Sequence, residues 1–309
     1  MPAQKFLFVA STGGHLSQLV RIASTLEATD DSVWVTFRSP QSESLLAGRR
    51  VEFVPYVRPR DVVGVIRAAR RIGPLLARER FDRVVSTGAA VALGALPLAR
   101  LRGIPADYIE SVSRVRGPSL TGRIIAFTRS ARTHTQHPAW AGGRWTVRPS
   151  VFGTYRPRPR PTVDRPRLFV ALGTIHGYRF DALVDAVIRT GLADERTVWQ
   201  LGGTTRMGLP GRSADQLDSH EFEREARHAD VVITHAGVGT VLDLLGMGIS
   251  PLVVPRRRAR REHVDDHQEQ IAGLLADADL AVVAEAETLT AAHLVAASGR
   301  SVVPAEAAQ

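Results

Sequence analysis

Glycine-rich turns that carry a histidine occur where predicted strands give way to predicted helices, and such turns can bind phosphate and move protons. Gly13-Gly14-His15 follows the first apolar run of the chain. Glycines there let backbone N–H groups approach an anion at the helix N-terminus, where the dipole favours negative charge. His15 can act as a general base near neutral pH. The alternative is an ordinary turn in which Gly13 and Gly14 only satisfy unusual backbone dihedrals.

A second polar cluster follows a later apolar run, at Glu110-Ser111-Val112-Ser113-Arg114. Here a carboxylate, two hydroxyls and a guanidinium share one predicted strand end. Glu110 is therefore a second candidate for the base, and Ser111 and Arg114 are candidates for contacts with the substrate. A solvated face or a helix cap is the alternative interpretation of Glu110.

The strongest signal in the second half is the segment Thr234–Asp243, because a strand end, a glycine turn and a helix start occur together. Gly237, Gly239 and Thr240 can present N–H and hydroxyl donors to phosphate oxygens. Asp243 lies three residues after Thr240 and so shares its side of the helix. A carboxylate there can accept hydrogen bonds from both hydroxyls of a ribose.

Other cofactor and metal motifs are poorly supported. Leu242 stands where the dinucleotide fingerprint requires its third glycine, which argues against NAD. His263 and His267 are four residues apart and could share a helical face, but the pair lacks the glutamate of the zincin motif. We interpret Asp277-Ala278-Asp279 as a turn. We therefore predict no metal site and no cofactor.

Apolar runs of strand length alternate with helical-period segments in both halves, which is typical of parallel sheets covered by helices. The predicted strands are Lys5–Ala10, Val33–Phe37, Val51–Pro55, Arg83–Ser86, Ala106–Ile109, Leu168–Leu172, Val198–Leu201, Val231–Thr234, Leu252–Val254 and Leu280–Val283. The predicted helices include Val62–Arg80, Phe180–Thr190, Gly239–Gly248 and His267–Leu275. Pro74 is expected to kink or divide the first of these helices.

An alternation of arginine and proline at Arg156–Pro161 separates the two series of strands. Prolines favour an extended, semi-rigid conformation, so the segment is predicted to be a linker. The sequence thus predicts an α/β protein with two Rossmann-like domains, 1–155 and 166–309, joined by a linker at 156–165. Ligands are expected in a cleft between the domains, at the carboxyl ends of both sheets.

Composition excludes several functions. The 309 residues contain no cysteine, which removes disulfides and thiolate chemistry. Lys5 is the only lysine, which removes the P-loop lysine and Schiff-base mechanisms. No apolar run reaches about 18 residues, the length of a membrane span. A formal net charge of +9 favours anionic partners, among them nucleic acid, an acidic membrane or phosphorylated substrates.

Taken together, these motifs resemble a known family. Gly13-Gly14-His15, Ser86-Thr87-Gly88, Tyr108–Val115 and Ser119-Leu120-Thr121-Gly122 resemble the acceptor subunit of the eukaryotic dolichol-diphosphate chitobiose N-acetylglucosaminyltransferase. Gly173-Thr174, His235–Thr240 and Asp266–Gln270 resemble its catalytic subunit. The chain is similar to a fusion of both, and also to bacterial exopolysaccharide glucuronosyltransferases and the peptidoglycan lipid N-acetylglucosaminyltransferase, of the family 28 type.

The resemblance implies a GT-B fold, inversion at the anomeric carbon and no obligatory metal. It implies that the acceptor-binding part includes Gly13, Gly14, Ser111 and Arg114, with His15 or Glu110 as the base and His15 slightly favoured. The residues that it implies for the UDP-sugar are Gly173, Thr174, His235, Ala236, Gly237, Gly239, Thr240, Asp243, His267 and Gln268. Asp243 stands where the family usually has glutamate, so its reach differs.

The implied activity is transfer of N-acetylglucosamine, glucuronic acid or glucose from a UDP-sugar to a polyprenyl-diphosphate-linked saccharide. A non-catalytic sensor of nucleotide sugars is the alternative; nucleic acid is not expected as a partner, and the oligomeric state is left open. The resemblance places the enzyme in the cytoplasm, peripheral to the inner face of the plasma membrane. We expect the basic, apolar helix Val62–Arg80 to lie on anionic lipid through Ile66, Ile72, Leu75 and Leu76. A core helix with an arginine-rich outer face is the competing interpretation.

Overall fold

The protein is described by a computed structural model for residues 3–173, 177–263 and 267–305. The chain divides into two compact units, Met1–Val151 and Phe152–Gln309. Each unit is built on one parallel sheet with helices between its strands. The predicted α/β class with two parallel-sheet domains is therefore confirmed.

The first unit contains a seven-stranded sheet with the strand order β3-β2-β1-β4-β5-β6-β7, and every pair in it is parallel. Its strands are β1 (Phe6–Ala10), β2 (Val33–Thr36), β3 (Arg50–Phe53), β4 (Arg83–Gly88), β5 (Ala106–Ile109), β6 (Arg132–Thr135) and β7 (Trp145–Val147). Its helices are α1 (Gly14–Ala23), α2 (Pro40–Leu45), α3 (Val62–Arg78), α4 (Ala92–Leu101) and α5 (Leu120–Thr128). The strand order reverses between β1 and β4, and ligands of open parallel sheets bind at such a point.

The core of the first unit follows from the alternation of side chains along β1. Phe6 and Phe8 face one side of the sheet and pack with Leu16 and Leu19 of α1. Leu7 and Val9 face the other side and pack with a cluster that includes α3. Because both faces of β1 are covered, its five residues are all buried, which explains why the run is uniformly apolar.

Helix α3 differs from its prediction in two respects. It continues through Pro74, so of the two predicted outcomes, a kink or a division, the division does not occur. Ile72 and Leu76, on either side of Pro74, are buried in the core and anchor the last two turns. The expectation that these two residues lie on lipid is therefore wrong, because the core takes up this face of α3.

The second unit contains a six-stranded parallel sheet with the strand order β11-β10-β9-β12-β13-β14, and a two-stranded antiparallel sheet of β8 and β15. Its strands are β8 (Tyr155–Pro159), β9 (Leu168–Ala171), β10 (Val198–Gln200), β11 (Arg212–Ala214), β12 (Val231–Thr234), β13 (Leu252–Val253), β14 (Val282–Val283) and β15 (Arg300–Pro304). Its helices are α6 (Asp181–Arg189), α7 (Ser219–His228), α8 (Val238–Gly246), α9 (His267–Asp277) and α10 (Ala291–Ser298).

The segment 156–165, predicted as a linker, lies inside the second unit. The chain divides after Val151, and the arginine–proline alternation is an edge strand, β8, that pairs with β15. Alternating prolines remove N–H groups only from the edge of β8 that faces away from β15. The arginine N–H groups remain for the ladder, and that of Arg160 continues it by donating to Gly299 O at 2.9 Å. The extended conformation was predicted, but its pairing was missed.

Candidate active site

The glycine turn after β1 leads directly into α1. Gly13 has φ of 79°, a conformation that glycine adopts without strain. Its N–H donates to Gln41 Oε1 at 2.6 Å, so the amide of Gly13 is already satisfied by a side chain of α2. Helix α1 starts at Gly14 and has no side-chain cap. The first amides of α1, rather than that of Gly13, therefore remain for an anion.

His15 is held in one tautomer by the end of β4. Its Nδ1 lies 2.6 Å from Thr87 O, and Thr87 Oγ1 donates to His15 O at 2.7 Å. A carbonyl oxygen only accepts, so Nδ1 carries the proton and Nε2 carries the lone pair. Burial lowers the pKa of His15, and the charge of Arg114 lowers it further, against the opposing effects of the Thr87 carbonyl and Glu110. The ring is therefore neutral near pH 7 and can accept a proton at Nε2.

Gly88 allows this approach of the histidine to β4. A Cβ at position 88 would lie 3.2 Å from His15 Cε1 and 3.3 Å from Tyr108 Oη. Gly88 also has φ of 100°, which a residue with a side chain rarely adopts. The packing of the His15 ring therefore favours glycine at the last position of β4.

Glu110 is a buried anchor with 1% of its surface exposed. One carboxylate oxygen accepts from Ser119 N at 2.8 Å and Ser119 Oγ at 2.9 Å; the other accepts from Ser111 N at 3.1 Å. Ser119 is in turn the cap of α5. The carboxylate therefore joins the end of β5 to the start of α5, and its oxygens are engaged there.

An amide network that sequence reasoning missed holds Ser111 in position. Gln18 Nε2 donates to Gly14 O and to Ser111 Oγ, both at 3.0 Å. Gln18 Oε1 accepts from Val112 N at 2.8 Å and from Gln136 Nε2 at 3.1 Å. The network ties the start of α1 to the segment after β5. Gln18 lies one helical turn after Gly14, so its contact with Gly14 O was predictable from the sequence, whereas its contacts with Ser111, Val112 and Gln136 were not.

Three strand ends of the second unit converge around His235. Gly173 follows β9, His235 follows β12 and Arg256 follows β13, and these strands are neighbours in the sheet. A Cβ at Gly173 would lie 2.8 Å from His235 Nε2 and 3.3 Å from Arg256 Nη2, and one at Gly237 would overlap the His235 ring. Both glycines are therefore needed to accommodate the imidazole.

His235 and Arg256 are enclosed polar groups. Burial, the charge of Arg256 and that of His263 lower the pKa of His235 to about 3, so its ring is neutral at physiological pH. Within the described residues its Nδ1 has no hydrogen-bond partner. Arg256 is 1% exposed; its Nη2 donates to Gly173 O at 3.3 Å, and among the described residues its Nε lacks a partner.

The turn before α8 places the predicted phosphate donors at a helix N-terminus. Gly237 is the N-cap residue and provides no side-chain cap. Gly239 and Thr240 lie in the first turn, and Asp243 is half-buried one turn later. The first amides of α8 thus have no intrahelical acceptor, as at any helix start. Ala236, which precedes Gly237 in this turn, is buried.

The remaining predicted donor residues lie at the start of α9 or outside the described residues. His267 is the first residue of α9, and Gln268 beside it is buried. Gln268 Oε1 accepts from Arg256 N at 3.0 Å, so its acceptor oxygen is engaged. Thr174 and Asp266 lie outside the described residues.

Two of the five arginines in the run Arg256–Arg261 are bound by acidic residues. Arg257 pairs with Glu285, at 2.5 Å, and with Glu269, at 2.6 Å; Arg260 pairs with Glu262 and Glu287. Hydrogen bonding to Glu285 raises the pKa of Arg257. These guanidinium groups are therefore engaged within the second unit.

The described residues contain neither a metal-binding cluster nor a membrane-spanning helix. No group of three or more His, Cys, Asp or Glu side chains there could hold a metal ion. No helix within the same residues combines the length and the apolar character needed to cross a bilayer.

Fold and family comparisons together define the class of protein. Residues 215–307 match the family model "Glycosyltransferase family 28 C-terminal domain". This match covers α7 to β15, including the turn before α8 and the arginine run. Together with two parallel-sheet domains of the GT-B type, it shows that the chain is a glycosyltransferase of GT-B fold.

Named relatives span both units. The chain is 27% identical over 304 residues to a UDP-N-acetylglucosamine–N-acetylmuramyl-(pentapeptide) pyrophosphoryl-undecaprenol N-acetylglucosamine transferase of Prochlorococcus marinus, covering 90% of this chain and 82% of the relative. It is 28% identical to the protein of that name from Synechococcus elongatus, with coverage of 94% and 85%.

Solved structures support the fold. The MurG protein of Acinetobacter baumannii aligns with a TM-score of 0.56 at 19% identity, covering 94% of this chain and 89% of that one. The calicheamicin glycosyltransferase CalG4 aligns with a TM-score of 0.52 at 17% identity, covering 96% and 89%. At these identities the likeness concerns the fold alone.

Proposed function

We propose that this glycosyltransferase moves a sugar from a UDP-sugar to a polyprenyl-diphosphate-linked saccharide, with inversion at the anomeric carbon. The relatives' names describe a UDP-sugar donor and a pyrophosphoryl-undecaprenol acceptor, and the similarity spans both units. The observation that carries the proposal is the fixed tautomer of His15, whose Nε2 has a lone pair for the acceptor hydroxyl proton.

The donor is proposed to bind to the second unit. The uncapped start of α8, with Gly237, Gly239 and Thr240, offers N–H and hydroxyl groups to the diphosphate. Asp243 is proposed to accept hydrogen bonds from the ribose hydroxyls. The N–H groups of Gln268, together with His267, are proposed to contact the sugar.

The acceptor is proposed to bind to the first unit. The amides at the start of α1 and the side chains of Ser111 and Arg114 are proposed to contact its diphosphate or sugar. His15 is favoured over Glu110 as the base, because the oxygens of Glu110 already accept hydrogen bonds from Ser111 and Ser119. Glu110 is proposed instead to position Ser111.

The departing UDP is proposed to be stabilised without a metal. The dipole and free amides at the start of α8 act on the charge that develops on the diphosphate during transfer. Full transfer in the presence of EDTA is the expected result. Complete loss of transfer on chelation, with recovery on adding Mg²⁺, would contradict this part of the proposal.

N-acetylglucosamine is the favoured donor sugar. The relatives are named as N-acetylglucosamine transferases. Glucuronate would need a cationic partner, but Arg257 and Arg260 are engaged with acidic residues. The enzyme is proposed to act at the cytoplasmic face of the membrane, because the acceptor in the relatives' names carries a polyprenyl chain.

The test is a transfer assay with radiolabelled UDP-sugars and a polyprenyl-diphosphate-linked saccharide, read as label in the lipid fraction. The wild-type protein is expected to transfer N-acetylglucosamine. The His15→Asn variant tests the base, because an asparagine amide can keep the hydrogen bond to Thr87 O although Nε2 is removed. UDP binding without transfer by the wild-type protein would instead favour the nucleotide-sugar sensor. Undiminished transfer by the Asp243→Ala variant would contradict the proposal that Asp243 binds the ribose hydroxyls.

A further inference from the structure

Three polar side chains are aligned across the last strands of the first sheet. Asp107, His134 and Thr146 lie on β5, β6 and β7, which are neighbours in that order. His134 and Thr146 stand directly opposite each other in the register. Side chains alternate between the two faces of a sheet, and Tyr108 and Trp145 pack in the core on the opposite face. The three polar side chains therefore share the face that the core leaves free.

Hydrogen bonds join these three side chains in series. His134 Nε2 lies 2.9 Å from Asp107 Oδ1, and His134 Nδ1 lies 2.6 Å from Thr146 Oγ1. Burial raises the pKa of Asp107, but hydrogen bonds from His134 and Arg83 lower it to about 2, so the carboxylate is ionised and only accepts. In the neutral ring Nε2 therefore carries the proton, and Nδ1 accepts the hydroxyl proton of Thr146. A catalytic triad has the same series of groups, with the two ring nitrogens exchanged.

Burial alone does not explain why His134 contacts Thr146. The Asp107 side chain is 4% exposed, but it already has two cationic partners, Arg83 at 2.7 Å and Arg132 at 3.2 Å. Thr146 is exposed, so water can satisfy its hydroxyl. Neither neighbour requires the imidazole for its own satisfaction. The contact instead holds a hydroxyl against a base at a place that solvent reaches.

A cavity of about 590 Å³ opens beside this hydroxyl, a volume typical of small-molecule pockets. It is lined by Ala126, Arg129, Ala131, Arg132, Thr133, His134, Arg144 and Thr146. Within the described residues Arg129 forms no ion pair, and Arg132 uses its Nε for Asp107 while 63% of its side chain is exposed. The cavity thus combines a nucleophile with cations that attract a negatively charged ligand.

Positive charge extends well beyond the cavity. Residues 111–151 contain seven arginines and neither aspartate nor glutamate. The whole chain has 40 basic and 31 acidic residues, so 33 basic and 31 acidic residues remain outside this segment. Nearly all of the net charge therefore surrounds the cavity, which favours anionic over neutral substrates.

We propose that Thr146, His134 and Asp107 form a second nucleophilic site, which hydrolyses small anionic esters through an acyl group held on Thr146 Oγ1. Thr146 is the nucleophile, His134 is the base, and Asp107 orients the imidazole. The arginines of the cavity bind the negative charge of the substrate and face the oxygen on which charge develops.

The reaction has two halves, and each returns its proton. Thr146 Oγ1 attacks the carbonyl carbon of the ester while its proton passes to His134 Nδ1. The bond to the leaving oxygen then breaks, and that oxygen takes the proton from Nδ1. Water next attacks the acyl group and gives a proton to Nδ1. The bond between the acyl group and Oγ1 breaks, Oγ1 regains the proton, and the carboxylic acid is released.

The experiment measures release of 4-nitrophenolate from mono-4-nitrophenyl succinate by the full-length protein, with no UDP-sugar present. The wild-type protein is expected to hydrolyse this ester about fivefold faster than the neutral 4-nitrophenyl acetate, because one exposed ion pair contributes about that much. Mass spectrometry of protein quenched in acid during turnover is expected to find a succinyl group on Thr146. Absence of hydrolysis, or an adduct on other residues alone, would overturn the proposal.

Two substitutions of Thr146 separate a nucleophile from a structural side chain. Thr146→Val keeps the shape but removes the hydroxyl, so it is expected to abolish both hydrolysis and the adduct. Thr146→Ser keeps the hydroxyl and is expected to retain both. Because the side chain is exposed, thermal unfolding of both variants is expected to be unchanged. Wild-type hydrolysis by the Thr146→Val variant would exclude Thr146 as the nucleophile.

The base is tested by His134→Gln, because a glutamine amide can still donate to Asp107 but accepts no proton. This variant is expected to lower the rate of hydrolysis by about 10²–10⁴-fold. His15→Asn is the matched control and is expected to hydrolyse the ester at the wild-type rate, whereas Thr146→Val is expected to transfer sugar normally. The two activities can therefore fail independently. Equal losses of ester hydrolysis in the two histidine variants would contradict the role of His134.

The preference for anionic esters is tested by Arg129→Asn. Arg129 has φ of 53°, and asparagine suits this left-handed conformation. The variant is expected to hydrolyse the succinate ester about fivefold more slowly and the acetate ester at the wild-type rate. Equal slowing of both esters would contradict the assignment of anionic substrates to the cavity.

Discussion

The two units each place a histidine at a glycine turn, but they use it differently. In the first unit His15 follows its glycines, and Nδ1 is bound to the Thr87 carbonyl. In the second unit His235 precedes Gly237, its pKa is lowered to about 3 and its Nδ1 lacks a partner among the described residues. The same elements thus give a proton acceptor in one unit and a neutral, enclosed ring beside Arg256 in the other.

The largest expected effect comes from His15→Asn. Removing Nε2 while keeping the hydrogen bond to Thr87 is expected to lower kcat for transfer by about 10²–10⁴-fold, because a positioned general base contributes this much. UDP binding, measured by calorimetry, is expected to be unchanged. A wild-type kcat in this variant would show that another group is the base.

The second expected effect comes from Gly237→Ala, which places a methyl group against the His235 ring. Overpacking of this kind costs about 1–3 kcal/mol of folding stability, measured by urea titration. Because relief of the overlap displaces the turn that holds the proposed phosphate donors, UDP binding is expected to weaken as well. Gly273→Ala is the matched control, since a Cβ there meets no atom within 4 Å. Equal UDP affinities in the two variants would show that the turn does not shape the donor site.

The third expected effect is on stability in acid. His235 has a folded pKa of about 3 and an ordinary pKa of 6.5, so the unfolded chain binds a proton first. Its contribution is complete above pH 6.5 and is lost as pH falls from 6.5 towards 3. His235→Asn is expected to reduce the loss of unfolding free energy over this range, measured by urea titration. An unchanged pH dependence would contradict the enclosure of the ring.

The smallest expected effect concerns Arg114, whose charge lowers the pKa of His15. Because the neutral ring is the active form, the acidic limb of the pH profile of kcat/KM is expected below pH 6.5. Arg114→Gln is expected to move that limb to higher pH. A shift to lower pH, or no shift, would show that the charge of Arg114 does not lower the pKa of His15.

Sequence patterns predicted the two sheets well, because buried parallel strands are continuous apolar runs. Every predicted strand corresponds to an observed one, and the turns at their ends hold most of the proposed site. Five observed strands were not predicted: β6, β7, β8, β11 and β15. Of these, β8 was missed because proline argues against pairing, although prolines at every second position leave one edge intact. The alternation of arginine and proline, which has the period of a strand, was the sequence signal from which β8 could have been predicted.

Long-range polar contacts were harder to predict. A run of arginines is ordinarily solvated, yet Arg256 is buried and Arg257 and Arg260 are paired with acidic residues. The link between Gln18 and Gln136 joins side chains 118 positions apart. No local pattern specifies such a pair, because it depends on how β5, β6 and α1 come together in the sheet.

The pairing of β8 with β15 has a consequence for the second unit as a piece of protein. The chain enters this unit through one strand of the pair and reaches its last described residues through the other. The first and the last described strands of this unit therefore lie side by side as an antiparallel pair. A module closed in this way can be joined to other proteins, or have its ends linked and be opened at another loop, without pulling its main sheet apart.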